Sequence, residues 1–183
     1  MFKKLLVEYE KHDNAREQVI LVSRDIIRLS KKVISSVHNE ELKDAEKYAS
    51  EMEKKTDVMR RQKSLADTGS YSAAMQEFVE ALLLLEYAKA GKIAEQEKFN
   101  CTPDEYLMGL CDFVGELQRR AVLKVSKGDK NEIEKIYRAA TEIYNGLLDF
   151  SFRGEVRKKF DLVKYVIIRL EEIMLELKIR CLK

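Results

Sequence analysis

Apolar residues recur along most of this chain at helical spacing. Val19, Ile20, Val22, Ile26, Ile27, Leu29, Val33, Ile34 and Val37 form a broad apolar stripe, which predicts a first helix from about Met1 or Asp13 to His38, with Asn39 at its end. From about Glu40 to Leu65 the apolar positions thin to Leu42, Ala45, Tyr48, Ala49, Met52, Val58 and Met59 among dense charge. That pattern predicts an outer helix. AspThrGlySer at 67–70 is a turn signal; a third helix follows from about Ser70 to Lys89, with Gly91 placed to close it. Thr102, Pro103 and Glu105 make a capping box with proline at the first helical position, so a fourth helix starts there and lasts to about Lys127, where Gly128 ends it. Asp129 and Glu132 repeat the capping logic for a fifth helix up to about Phe150. Ser151–Gly154 is the next break. A last helix runs to the C-terminus, with Val156, Phe160, Val163, Val166, Ile167, Leu170, Ile173, Met174 and Leu177 on its apolar face.

Composition agrees with this reading. One proline, seven glycines and no tryptophan in 183 residues leave few turns, so the elements are few and long. The expectation is an all-α bundle of six or seven helices forming a single domain over residues 1–183. Charged residues make up 36% of the chain, yet the net charge is only +2, so any basic surface must come from segregation of charge. Cys101, Cys111 and Cys181 are odd in number and show no paired spacing, which points to reduced thiols. His12 and His38 are the only histidines. Histidine-based nucleophilic catalysis and histidine-rich metal sites are thereby disfavoured, leaving carboxylates, lysine and tyrosine. Met1–His12 does not resemble a cleavable signal, and no apolar run is long enough to cross a bilayer. The expected compartment is the cytoplasm.

The third helix carries the most informative chemistry. Tyr71, Ala74, Met75, Phe78, Leu82 and Leu85 already make one core face, but the opposite face holds Ala73, Gln76, Leu83, Leu84 and Tyr87, and into it project Glu77 and Glu80. A helix apolar on both faces is buried on both, by the core on one side and by a partner or cavity on the other. Carboxylates in that setting must be ion-paired, protonated or bound to a cation. On the fourth helix Asp112 and Glu116 lie one turn apart opposite the stripe of Leu107, Leu110, Val114, Leu117 and Ala121, with Arg119 and Arg120 a further turn along. Four oxygen donors from two neighbouring helices suit Mg²⁺ or Mn²⁺. The same residues also fit a solvated face with local ion pairs, and spacing alone leaves both readings open.

Two stretches, GlnGluPheValGluAla at 76–81 and TyrLeuMetGlyLeuCysAspPheValGlyGluLeuGlnArg at 106–119, resemble the translin family and within it the catalytic subunit type, translin-associated factor X. AlaArgGluGlnValIleLeuValSerArgAspIle at 15–26, ValArgLysLysPheAspLeuValLysTyr at 156–165 and IleArg near the end are similar to the family's first and last helices. The resemblance implies an all-helical subunit that assembles into a hollow, barrel-like oligomer, commonly of eight subunits, around single-stranded or short duplex RNA. It implies a catalytic set at Glu77, Glu80 and Asp112, with Glu116 as a further metal ligand. Translin, the non-catalytic sister, lacks acids at the first three of these positions. This chain is more compact than the catalytic subunit, lacking the N-terminal arm and an insertion before the capping box, so a homo-oligomer is expected to do both jobs, with a translin-like paralogue as the other candidate partner.

The mechanism this implies is hydrolysis of the RNA backbone, in which Mg²⁺ or Mn²⁺ activates a water and offsets phosphoryl charge. Arg119 and Arg120 are candidates to meet the neighbouring phosphate. Arg16, Arg24, Arg28, Lys31, Lys32, Arg157, Lys158 and Lys159 are candidates for further phosphate contacts, with solvated outer charge as the other reading of each. Single-stranded DNA is a further candidate ligand. Two rival functions are a non-catalytic RNA- or DNA-binding scaffold, separated by metal-dependent cleavage, and a helical adaptor, separated by the absence of salt-dependent RNA binding.

Overall fold

In the computed structural model, which describes residues 2–61 and 69–181, the chain is all-α. Six α-helices and one 3₁₀ turn stand among the described residues: α1 (Phe2–His38), α2 (Leu42–Arg60), α3 (Gly69–Ala90), the 3₁₀ turn (Gln96–Phe99), α4 (Pro103–Ser126), α5 (Lys130–Leu147) and α6 (Gly154–Cys181). The expected helical class and helix number both hold. The chain gathers into two compact units, Met1–Gly109 and Leu110–Lys183.

In the first unit α1 packs against α2 and α3, and α2 against α3. Val19, Ile26, Leu29, Val33 and Val37 of α1 are buried as the stripe requires, together with Met52 and Met59 of α2 and Met75, Phe78 and Val79 of α3. α1 is a single helix passing through Asp13. It ends at His38 as expected, with Asn39 next, and the left-handed residue that closes it is Glu40, at φ 65°. Glu41 N–H donates to Ser36 O at 2.8 Å and Glu40 N–H to Val37 O at 3.1 Å, the paired bonds that close a helix around one left-handed residue. The expected turn at 67–70 divides. Asp67 and Thr68 lie outside the described residues, whereas Gly69 and Ser70 already belong to α3.

On the second apolar face of α3, Leu83 and Leu84 are fully buried and Tyr87 is buried, so its C-terminal half is covered within the chain itself, whereas Ala73 is exposed and Gln76 half-buried. The 3₁₀ turn after it was not foreseen. Three side chains hold it: Arg60 on Phe99 O, Tyr106 Oη donating to Ala94 O at 2.8 Å, and Gln96 Nε2 donating to Cys101 O at 3.0 Å. α4 then starts at the anticipated capping box, with Thr102 N–H donating to Glu105 Oε2 at 2.9 Å and Glu105 N–H to Thr102 Oγ1 at 3.3 Å.

In the second unit, α4 runs to Ser126 and is followed by Gly128, whose φ of 71° suits a residue without Cβ. Asp129 caps α5 by accepting from Glu132 N–H. α5 stops at Leu147, short of the expected Phe150, and Phe150 stacks instead on Phe152 at 5.3 Å between centroids. α5 and α6 pack on each other, with Ile133, Ile136, Val163 and Leu170 buried. No described helix is long and apolar enough to cross a membrane.

Candidate metal and nucleic-acid site

On α3 the two acids sit differently. Glu80 is buried, 9% exposed. Glu77, half-buried, faces α1, where the fully buried Ser30 places its hydroxyl 2.9 Å from Glu77 Oε2 and 2.8 Å from Ile27 O. A hydroxyl has one proton, so the carboxylate and the helix carbonyl share a single donor. Nothing in the hydrophobic pattern marked Ser30, because its partner is 47 residues away.

α4 approaches α3 at Gly109. A Cβ built there would stand 2.7 Å from Val79 Cβ and 2.8 Å from Gln76 O, so backbone meets helix on the stretch of α3 that carries Glu77 and Glu80. Contacts this close need glycine. Asp112 and Glu116 follow one and two turns later on the same helix α4.

In the second unit each of these acids has a cation. Lys159 Nζ on α6 ion-pairs with Asp112 Oδ2, both side chains being about one-third exposed. Arg119 lies 3.6 Å from Glu116 Oε2 and is itself well exposed. Arg120, expected beside Arg119 facing a phosphate, is instead buried, its Nε 3.3 Å from Glu132 Oε1 on α5. A direct phosphate contact would require breaking that pair. Lys159, expected as a phosphate contact, is instead committed to Asp112. Burial pushes the neighbouring Cys111 thiol up to about 12, with the Asp112 charge adding to the rise and Lys159 opposing it. Neither Cys101 nor Cys111 is in a disulfide, in keeping with reduced thiols.

The other candidate cations are exposed. Arg28 pairs with Asp25, Arg157 with Asp161 and Lys158 with Glu155, each within one turn. Lys32 lies 4.9 Å from the Tyr48 ring centroid. Arg16, Arg24 and Lys31 are exposed with no ion pair among the described residues. At 100° per residue, Arg24, Arg28, Lys31 and Lys32 fall on the side of α1 opposite its buried stripe, a solvent-facing basic row.

The donor set has the right chemistry for a hard divalent cation, since all four acids offer carboxylate oxygen. Among the described residues no three His, Cys, Asp or Glu side chains are grouped to hold a metal ion.

Comparison with known proteins places this architecture. The Translin family profile matches residues 14–181. An uncharacterized protein of Methanocaldococcus jannaschii is 30% identical, covering 85% of this chain and 72% of that protein. Translin-associated protein X of Mus musculus is 25% identical, covering 98% of this chain and 78% of the relative. The structure of an AfC3PO–duplex RNA complex superposes with a TM-score of 0.88 at 26% identity, covering 100% of this chain and 98% of that one. With its profile match spanning nearly the whole sequence and its helices superposing on a solved relative end to end, the chain belongs to the translin family.

Proposed function

We propose that this chain is a Mg²⁺- or Mn²⁺-dependent endoribonuclease that binds single-stranded or short duplex RNA and cleaves it within a closed homo-oligomer, commonly of eight subunits in this family, acting as one translin-like domain over residues 1–183. The observation that carries this reading is the pair Glu77 and Glu80, one turn apart on a largely buried helix, the first tied to a buried serine. Carboxylates desolvated at such a place are costly unless a cation or donors compensate them. The relatives add support through the duplex RNA of the AfC3PO complex and the likeness to translin-associated protein X.

Glu77, Glu80 and Asp112 would hold the metal ion, with Glu116 as a further ligand. A divalent ion so held acidifies a bound water and offsets phosphoryl charge. The exposed guanidinium of Arg119 is shaped to take a phosphate through two N–H donors. Arg16, Arg24, Arg28, Lys31, Lys32, Arg157 and Lys158 supply positive charge that RNA phosphates would neutralise, giving an affinity that falls steeply with salt. Single-stranded DNA would bind through the same phosphates and be cut more slowly wherever the 2′-hydroxyl positions the strand.

The test is cleavage of labelled single-stranded RNA with Mg²⁺, Mn²⁺ or chelator. Glu80→Gln should lower cleavage by a factor on the order of 100 or more, as expected for loss of a charged ligand, while RNA binding and assembly mass stay near wild type. Cleavage in chelator, or a Glu80→Gln enzyme within a few-fold of wild type, would refute the assignment. A second reading, a translin-like RNA- or DNA-binding scaffold without catalysis, is favoured by the Lys159 ion pair on Asp112. It expects salt-dependent RNA binding with no metal-dependent cleavage.

A further inference from the structure

We infer that Lys159 is the resident counter-ion of Asp112 and competes with a divalent metal for that carboxylate. The inference rests on the reading of Asp112 as a metal ligand. Lys159 differs from the other ion pairs of α6. Arg157–Asp161, Lys158–Glu155 and Arg169–Glu172 each lie within one turn of the helix and all six side chains are more than half exposed. Lys159 instead spans 47 residues in sequence to reach α4, and both partners are half-buried, at 28% and 31% exposed. Its neighbour Phe160 stacks on Tyr144 at 5.7 Å and packs on Phe152 at 5.2 Å, which anchors this turn of α6.

The charge argument follows from these positions. With Lys159 in place the Asp112 carboxylate is neutralised. A dication arriving at the same oxygens would add two positive charges beside an ammonium in a partly desolvated setting, where repulsion is stronger than in water. The ammonium is a compact charge on a flexible stem, so it can swing away. Metal binding at Asp112 is therefore an exchange of one cation for another, and its affinity is lowered by the ion pair that must be broken.

The experiment measures Mn²⁺ binding to the full chain by calorimetry and by electron paramagnetic resonance, with thermal unfolding in chelator and in Mn²⁺. Lys159→Met should bind Mn²⁺ about threefold to tenfold more tightly than wild type, the scale of removing one competing half-buried charge. It should also unfold at lower temperature in chelator and gain more from Mn²⁺ than wild type does. Lys159→Arg, which keeps the charge and forks onto a carboxylate, should bind Mn²⁺ no more tightly than wild type. Equal or weaker Mn²⁺ binding by folded Lys159→Met overturns the inference, as does tighter binding by Lys159→Arg, the arm that decides if the methionine variant fails to fold. Asp112→Asn separates the two levels: if it leaves Mn²⁺ binding unchanged, Asp112 is no ligand and both the reading and the inference fall.

Discussion

Single residues decide how closely the helices carrying the acids can approach. Gly109 and Gly115 both lie in α4, yet only Gly109 has atoms within 4 Å of a built Cβ. Those atoms are the backbone carbonyl of Gln76 and the branched side chain of the fully buried Val79, neither of which can swing aside. Gly109→Ala should therefore destabilise the fold by about 1–3 kcal/mol, the usual cost of overpacking. Gly115→Ala should be neutral or stabilising by up to about 1 kcal/mol through helix propensity. Chemical denaturation of the two variants checks the contrast, and equal effects would contradict a close approach at Gly109. Sequence alone could not separate these glycines, because both interrupt the same apolar pattern six residues apart and the difference lies in a neighbouring helix.

Elements were legible where their signals are local. The box of Thr102, Pro103 and Glu105, the cap at Asp129 and the closure at Gly128 all act within a turn, and the bonds form as the residues dictate. What binds one element to another was not legible. Ser30 on Glu77, Lys159 on Asp112 and Arg120 on Glu132 join residues far apart in sequence, and no helical period encodes them. The same holds for Asp25, which Lys55 reaches across from α2 to α1 at 2.7 Å. That hydrogen bond, reinforced by the charges of Lys55 and Arg28 against partial desolvation, holds the Asp25 carboxyl below its ordinary value. A carboxyl with a lowered folded pKa adds stability above its unfolded pKa of about 3.9 and loses it as pH falls through the folded value. Asp25→Asn should thus cost about 0.2–1 kcal/mol near neutral pH, the range for partly exposed pairs. The difference from wild type should shrink to nothing in acid. A cost that persists unchanged at pH 2 would mean Asp25 stabilises the α1–α2 contact by packing and not by charge.

At the scale of the whole molecule the question is what covers the apolar surface left outside. The large apolar residues on the second face of α3, which the sequence pattern offered to a partner or cavity, are already buried, so contacts between subunits call for other apolar surface. Two rows stand out among the exposed apolar side chains of the described residues. On α6, Tyr165, Ile168, Leu175 and Ile179 are 43–68% exposed, and with Glu172 they alternate at spacings of three and four, the seam of a paired helix. On the first turns of α1, Phe2, Leu5, Leu6 and Tyr9 are 57–75% exposed at positions i, i+3, i+4 and i+7. A patch that pairs with its own copy about a two-fold axis is used up in a dimer, so a larger closed assembly needs a second, different contact. Two separate rows meet that requirement. Light scattering at micromolar concentration should report a mass well above a dimer for the wild type. Ile168→Glu with Leu175→Glu, or Leu5→Glu with Leu6→Glu, should each reduce the mass to a smaller symmetric species, and the fourfold combination should give a monomer, all with unchanged helical content by circular dichroism. A wild type that is already monomeric would remove the enclosed cavity from the proposed reaction. Full-size assembly by the fourfold variant would place the subunit contacts on other surfaces.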